Sequence, residues 1–547
     1  MKSYEALAAA LAAEGVDTVF GLLGNGVLDL SRELADRHGI RFIAARHEEV
    51  AVGMADGYAR ATGRIGVAII CFGPGLANAA AALLAARMSG SRLLAIVGGA
   101  IGAEPHNNMS YEQVPLLKAS IGEVVEAVSP ATLKRDLSRC LAHLRHGQGP
   151  VALHYHGGRQ DMPADWTWTP APARLSPPLA PRPEDIDSLA SRIMTAERPL
   201  ILVGRGLFLA DGKSAAHALA EASGGLLATT LLTKNWLDDD PFCAGLSGGF
   251  SAREAAHILN EADLVVALGA SLNDYTFGHG LLYRNARIVH VDTSPAAIGD
   301  YRQPDLAVLG DARLVAEGLI ERLGHIQRPG WRDAAMATRI AGIDRWEGLD
   351  MAEGQGGANP RRIVEVADRR LPRPRLLSTD IGLFMAVPAA HMSVASPADI
   401  IFPWQLGRVG CALAISMGAA IGRPDAVAAC FVGDGGMMAS MNALATLAEY
   451  RLPVVVFVMD DDGLGAERRL FQLAGVTSAV ADQTTPDLVA IAHAHGLTAV
   501  RVTNSIALDE YLASTPSGQA PLLVHVKIDS AVPTTEMDAA YYTRPHN

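Results

Sequence analysis

The chain has 547 residues, enough for roughly three or four domains of ordinary size. With 49% apolar and 19% charged residues it can fill several buried cores, which excludes a mainly disordered chain. Its 46 basic and 58 acidic residues give a net charge of −12 without a basic block, which speaks against a nucleic-acid-binding surface.

The opening Met1-Lys2-Ser3-Tyr4-Glu5 lacks the apolar core and cleavage site of a signal peptide, so a cytoplasmic protein is expected. Cys71, Cys140, Cys243, Cys411 and Cys430 are scattered without a CxxC pair, and read as reduced core residues rather than disulfides or zinc ligands. Residues 65–86 carry no charge, but Phe72-Gly73-Pro74-Gly75 interrupts them. A strand, a tight loop and a buried helix are expected there, not a membrane span.

Short β-branched runs recur at 67–71, 93–97, 200–203, 264–268, 288–291, 427–432, 454–459 and 522–526, separated by Ala- and Leu-rich helical stretches. Continuous apolar strands alternating with helices predict parallel sheets covered on both faces. Proline-rich residues 161–183 and glycine-rich 351–360 read as linkers. They leave an N-terminal domain at 1–160, a Rossmann-like domain at 184–325, a third at 359–530 and a tail at 531–547. Each domain has the length of one doubly wound sheet. No tandem repeat is visible.

The most specific chemical signal lies in the third segment. A strand ending at Phe431-Val432 runs into Gly433-Asp434-Gly435-Gly436 and a helix over 437–448; the next strand ends at Asp460-Asp461-Asp462-Gly463. Asp434 and Asp461 therefore stand at the carboxyl ends of parallel strands, where open α/β sheets form their binding crevices. Paired carboxylates beside a glycine-rich turn suit a magnesium-bridged diphosphate, with the amides of Gly435 and Gly436 receiving anionic oxygens. The plainer alternative is a Gly-Asp turn and an acidic surface loop.

These residues resemble the thiamine diphosphate enzymes of the acetolactate synthase, pyruvate decarboxylase and benzoylformate decarboxylase group, whose signature is Gly-Asp-Gly followed, after a helix and a strand, by Asn-Asn. Here Asp460-Asp461 closes the motif, a departure that adds negative charge. The resemblance implies thiamine diphosphate and Mg²⁺ as cofactors, with Asp434, Asp461 and the Gly463 carbonyl as metal ligands. His47-Glu48-Glu49, the run from Met54 to Gly63, and Gly73-Pro74-Gly75-Leu76-Ala77-Asn78 resemble the family's pyrimidine-binding stretch. This implies Glu48 as the catalytic glutamate at the pyrimidine N1′ and Asn78 as a cofactor contact. Gln405-Leu406-Gly407-Arg408-Val409-Gly410, before a helix over 411–421, resembles the patch in which Gly407 and Val409 hold the aminopyrimidine. In Asp380-Ile381-Gly382-Leu383 the resemblance implies a diphosphate contact at Gly382. Gly433 belongs to the same cradle.

For the reaction, the resemblance implies decarboxylation of a 2-oxo acid and transfer of the resulting enamine to a second carbonyl, as in acetolactate synthases. The alternatives are a decarboxylase releasing an aldehyde, a benzaldehyde lyase-like 2-hydroxyketone lyase, and a non-catalytic paralogous binding subunit. Proton-transfer histidines of the decarboxylases find no clean match. Asn25 follows Leu23-Gly24, and Cys71 stands where benzoylformate decarboxylases have histidine. Glu467 and His106 are further catalytic candidates, and Asn25, Asn108, His279 and Arg468 are candidate substrate contacts. A solvated helix start or an exposed loop is the plainer account of Glu467, Arg468, His106 and His279. Val203-Gly204-Arg205-Gly206 is Rossmann-like but weak alone, and FAD is not expected. A shared cofactor site in the family implies at least a homodimer, with a homotetramer as the larger option. Neither nucleic acid nor membrane is an expected partner.

Overall fold

The computed structural model describes residues 1–99, 107–147, 149–170, 177–324, 331–515, 521–533 and 535–539. The first sheet is built from β1 (Thr18–Gly21), β2 (Arg41–Ala44), β3 (Gly66–Ile70), β4 (Leu93–Gly99), β5 (Glu123–Ala127) and β6 (Val151–His156), in the order β2-β1-β3-β4-β6-β5. The second holds β7 (Pro199–Val203), β8 (Leu226–Thr229), β9 (Cys243–Leu246), β10 (Leu264–Leu268), β11 (Arg287–Asp292) and β12 (Leu306–Leu309), in the order β12-β11-β10-β7-β8-β9. The third holds β13 (Arg375–Thr379), β14 (Val427–Gly433), β15 (Val454–Asp460), β16 (Thr498–Val502) and β17 (Leu522–Lys527), in the order β13-β14-β15-β17-β16. Neighbouring strands within each sheet pair in parallel. Central strands such as β3, β7 and β15 are buried along their whole length, which is why their sequences are apolar without alternation. The architecture is three doubly wound α/β domains.

The uncharged stretch at 65–86 resolves into β3 and the helix Pro74–Met88, and among the described residues no helix is long and apolar enough to cross a membrane. All five cysteines are buried and free. The linker at 161–183 begins later than its composition suggests. The indole N–H of Trp166 donates to the Pro130 carbonyl at 3.1 Å and that of Trp168 to Glu14 at 2.7 Å, so its first residues pack onto the N-terminal domain.

By contact the chain divides into two compact units. One contains residues 1–176, 370–382 and 401–528, hence the first and third sheets; the other contains 177–369, 383–400 and 529–547, hence the second sheet and the tail. In the first unit the helices Glu48–Thr62 and Ala412–Gly422 lie side by side in one apolar core. Glycine permits the approach: a Cβ at Gly57 would stand 2.0 Å from the Ile415 carbonyl oxygen, and one at Gly418 would stand 1.8 Å from that of Met54. Neither backbone atom can yield, so only hydrogen fits at these two positions.

In the second unit, the turns after β7 and β10 meet. A Cβ at Gly204 would lie 2.3 Å from the Gly269 carbonyl oxygen. The glycines of the Rossmann-like run are thus accounted for by backbone packing. The tail is anchored in the same unit by a buried ion pair: Arg361 donates to both carboxylate oxygens of Glu536, at 2.8 and 2.7 Å. Burial works against the charged Glu536, but His391 and Arg361 outweigh it and hold its pKa down at about 2.

Candidate active site

The residues of the acidic cluster converge at the carboxyl ends of β14 and β15. Asp434 is buried, and its Oδ2 accepts from the Gly463 amide at 2.9 Å and from the Thr485 hydroxyl at 2.9 Å. Burial raises its pKa, and the nearby Asp460 adds to the rise. Asp461 lies beside it, its pKa pushed up to about 7 by burial and then by the charge of Asp434. Burial and mutual repulsion of two such carboxyls are both relieved by a bound dication. Their carboxylate oxygens are hard donors of the kind Mg²⁺ takes. The donor set fits that ion.

Asp460 behaves differently, although it is adjacent in sequence. Successive strand residues face opposite ways, and its Oδ2 meets the His525 ring nitrogen at 2.7 Å. Burial opposes its charge, but His525, the Asp462 amide and Lys527 hold its carboxyl well below the usual range. Asp460 is therefore held as an anion by its own partners, whereas the rise at Asp461 is opposed by the Arg468 guanidinium, 3.8 Å from its carboxylate.

The turn that precedes the cluster divides its glycines by task. A Cβ at Gly436 would strike the Asp380 carboxylate at 2.4 Å, so packing explains that glycine. At Gly435 the nearest atom to such a Cβ is Leu464 Cδ2 at 3.6 Å, so packing does not demand that glycine, and its amide bonds the Asp434 carboxylate. The helix begun at Asp434 ends at Ala439, and a second runs Ala443–Glu449, so the single helix expected over 437–448 is broken. Ser440 marks the break, its hydroxyl donating back to the Gly436 carbonyl at 2.8 Å.

Asp380 has a position that sequence inspection missed. It is wholly buried at the end of β13, and its carboxylate accepts from the amides of Gly410 (2.6 Å) and Cys411 (3.2 Å). It thereby fixes the patch Gly407–Val409 ahead of the helix Ala412–Gly422. Burial, opposed by those amides, leaves its pKa at about 6. Gly382 follows on the same strand end. Gly407 adopts a φ of 69°, and the Val409 side chain is 40% exposed, available to a ligand.

Glu48 opens the helix Glu48–Thr62 and is 5% exposed. Its Oε2 accepts from the Asn78 amide at 3.0 Å, and its Oε1 from the Cys71 thiol at 3.3 Å. Asn78 thus touches the glutamate itself. Beside it, Glu49 forms an ion pair with Arg408 of the Gly407–Val409 patch. The Glu48 helix and that patch consequently adjoin within one chain.

The remaining candidates are dispersed. Arg468 donates to the Asp461 carbonyl at 3.2 Å, the Asp462 carbonyl at 3.0 Å and the Asp482 carboxylate at 3.1 Å, so its guanidinium is engaged by the acidic loop. Glu467 is exposed in the first turn of the helix Gly465–Leu473. Asn25 and Asn108 are exposed loop residues of the first domain. His279 lies in a tight turn of the second unit with its ring edge-on to Tyr275 at 6.1 Å. His106 lies outside the described residues. Thr485 and His525, which organise the acidic cluster, come from a loop and a later strand that no spacing rule connects to it.

Comparison with known proteins gives the class. The chain matches, in order, the thiamine pyrophosphate enzyme N-terminal TPP binding domain over residues 1–117, the central domain over 186–319 and the C-terminal TPP binding domain over 380–526. It belongs to the thiamine pyrophosphate enzyme family and is a thiamine diphosphate-dependent enzyme. Among similar proteins, the acetolactate synthase large subunit of Parasynechococcus marenigrum is 29% identical over 549 residues, spanning 96% of this chain and 87% of the relative. A probable acetolactate synthase large subunit of Methanococcus aeolicus is 26% identical over 561 residues, spanning 97% and 92%. The sulfoacetaldehyde acetyltransferase of Castellaniella defragrans is 28% identical over 505 residues, spanning 86% and 82%.

Proposed function

We propose that this enzyme, with Mg²⁺ and thiamine diphosphate, decarboxylates a 2-oxo acid and joins the remaining fragment to a second carbonyl compound. The observation that carries the cofactor assignment is the pairing of Asp434 and Asp461 at neighbouring strand ends, with the Gly463 amide bound to Asp434. The ligating direction is supported by the similarity to acetolactate synthases over nearly the whole chain. When bound, the cofactor supplies an electron sink for a carbanion. Asp434, Asp461 and the Gly463 carbonyl would hold the metal, and the Gly435 amide would donate to an anionic oxygen. Gly382, Gly407 and Gly433 would contribute to the same cradle, and Val409 would offer an apolar wall.

Glu48 would hold a proton at its carboxylate, oriented by Asn78 and Cys71 and kept from bulk water by burial. Glu467 would serve as a further acid or steer a substrate carboxylate, and Arg468 would help to hold an acidic substrate. By resemblance the working unit is at least a homodimer, and the scattered, free cysteines favour a cytoplasmic enzyme.

The test is CO₂ release from a panel of 2-oxo acids with Mg²⁺ and thiamine diphosphate, with the organic products identified in the same tubes. A coupled hydroxyketone or acetohydroxy acid is expected. Free aldehyde as the sole product would move the enzyme to the decarboxylases. Absence of CO₂ despite cofactor binding would point to cleavage of a 2-hydroxyketone instead.

A further inference from the structure

Away from the cofactor face, β5 and β6 bring together three side chains with metal-ligand chemistry. His154 and His156 are alternate residues of β6 and so project from the same face of the sheet. Glu126, on the edge strand β5, is the direct register partner of His154. One ligand atom from each of the three lies within 4.8 Å of the others. The two imidazole rings stand 4.7 Å apart, centroid to centroid.

His154 is 5% exposed, and neither of its ring nitrogens has a hydrogen-bond partner among the described residues. Nε2 of His156 is likewise buried and unpartnered. Buried polar atoms are nearly always satisfied, so an imidazole with both nitrogens idle calls for a ligand. Burial, followed by the neighbouring His156, lowers the His154 pKa to about 4, so at neutral pH the ring is in the uncharged form that binds metals. Glu126 is exposed.

We propose that Glu126, His154 and His156 form a binding site for a divalent transition metal of the zinc class, distinct from the magnesium cluster. Two imidazoles and one carboxylate are the donors that Zn²⁺, Ni²⁺ and Cu²⁺ take, whereas Mg²⁺ prefers oxygen alone. Bonds from such ligands to zinc are about 2.0–2.1 Å, and three protein ligands leave a fourth position for water. The bound ion would clip the edge strand β5 to β6.

The experiment uses the full-length chain without a histidine tag, stripped of metal and then held in excess Mg²⁺. Zn²⁺ uptake is measured by competition with a chromogenic chelator, and Co²⁺ serves as a spectroscopic probe. One Zn²⁺ per chain and the visible bands of imidazole-ligated tetrahedral Co²⁺ are expected. The double variant Glu126→Gln/His156→Ala should bind Zn²⁺ roughly 100-fold more weakly and lose the Co²⁺ bands. Glu126→Gln alone, at an exposed position, provides a weakened site in a chain whose fold is untouched. Equal uptake by wild type and double variant, or no uptake by the wild type, would overturn the proposal.

Discussion

At the scale of single residues, the site depends on carboxylates made unequal by their surroundings. Asp460 and Asp461 are neighbours, yet one is held ionised by His525 and the other is pushed toward neutrality by burial and by Asp434. The sequence displayed all of these acids, and the turn signals placed Asp434 and Asp461 at strand ends. It did not reveal that Asp380 reaches the amides of Gly410 and Cys411, because that partnership spans two distant loops. Thr485 escaped notice for the same reason. Glu48 was legible through its motif, and the structure adds the Asn78 and Cys71 contacts that orient it. Replacing it by Gln keeps the shape and the contact with Asn78 but removes the exchangeable proton. Glu48→Gln is expected to lower kcat by about 10²- to 10⁴-fold with cofactor affinity largely kept. Steady-state rates together with thiamine diphosphate titration check this, and near-normal turnover would remove Glu48 from the catalytic role.

At the scale of elements, the apolar runs predicted the strands well because buried parallel strands leave a continuous signature. Helix boundaries and linkers were less legible. The break between Ala439 and Ala443 follows from a serine bonding back to its own helix, and the tryptophans after residue 161 pack where composition alone reads linker. The pairing of the helices Glu48–Thr62 and Ala412–Gly422 was not readable at all, since it rests on glycines that look ordinary in sequence. Gly418→Ala places a methyl against the Met54 carbonyl oxygen and is expected to cost about 1–3 kcal/mol. Urea unfolding of the purified variant measures it, and an unchanged midpoint would show that the helices separate freely. The tail helix Thr535–Met537 is held by the Arg361–Glu536 pair, and Glu536→Gln leaves a buried guanidinium half-satisfied, a loss of about 3–5 kcal/mol. The pH dependence has a definite sign. The folded pKa of Glu536 is depressed from its ordinary 4.5 to about 2, so its contribution is complete above pH 4.5 and declines as pH falls toward 2. The stability gap between wild type and Glu536→Gln should therefore be flat from neutrality down to pH 4.5 and narrow below it.

At the scale of the whole molecule, the open question is how many chains one site requires. The Glu48 helix and the Gly407–Val409 patch belong to the same compact unit, and the Glu49–Arg408 ion pair joins them in one chain. Yet the two helices concerned are separated in sequence by an entire second unit. A packed pair of that kind can close within a chain or be exchanged between two identical copies with the same contacts. Resemblance to the family favours exchange, and the two arrangements make opposite predictions for mixed mutants. Chains carrying Glu48→Gln and chains carrying Asp434→Asn are each expected to be inactive alone. If the halves are exchanged, a mixed dimer has one site bearing both lesions and one bearing neither, so co-expression restores activity. If each chain closes its own site, every site carries one lesion and the mixture stays inactive. Recovery is the outcome expected for the homodimer proposed above, measured as CO₂ release by the co-purified mixture against each variant alone. Failure to recover, in a mixture shown by mass spectrometry to contain mixed dimers, would assign the whole site to a single chain.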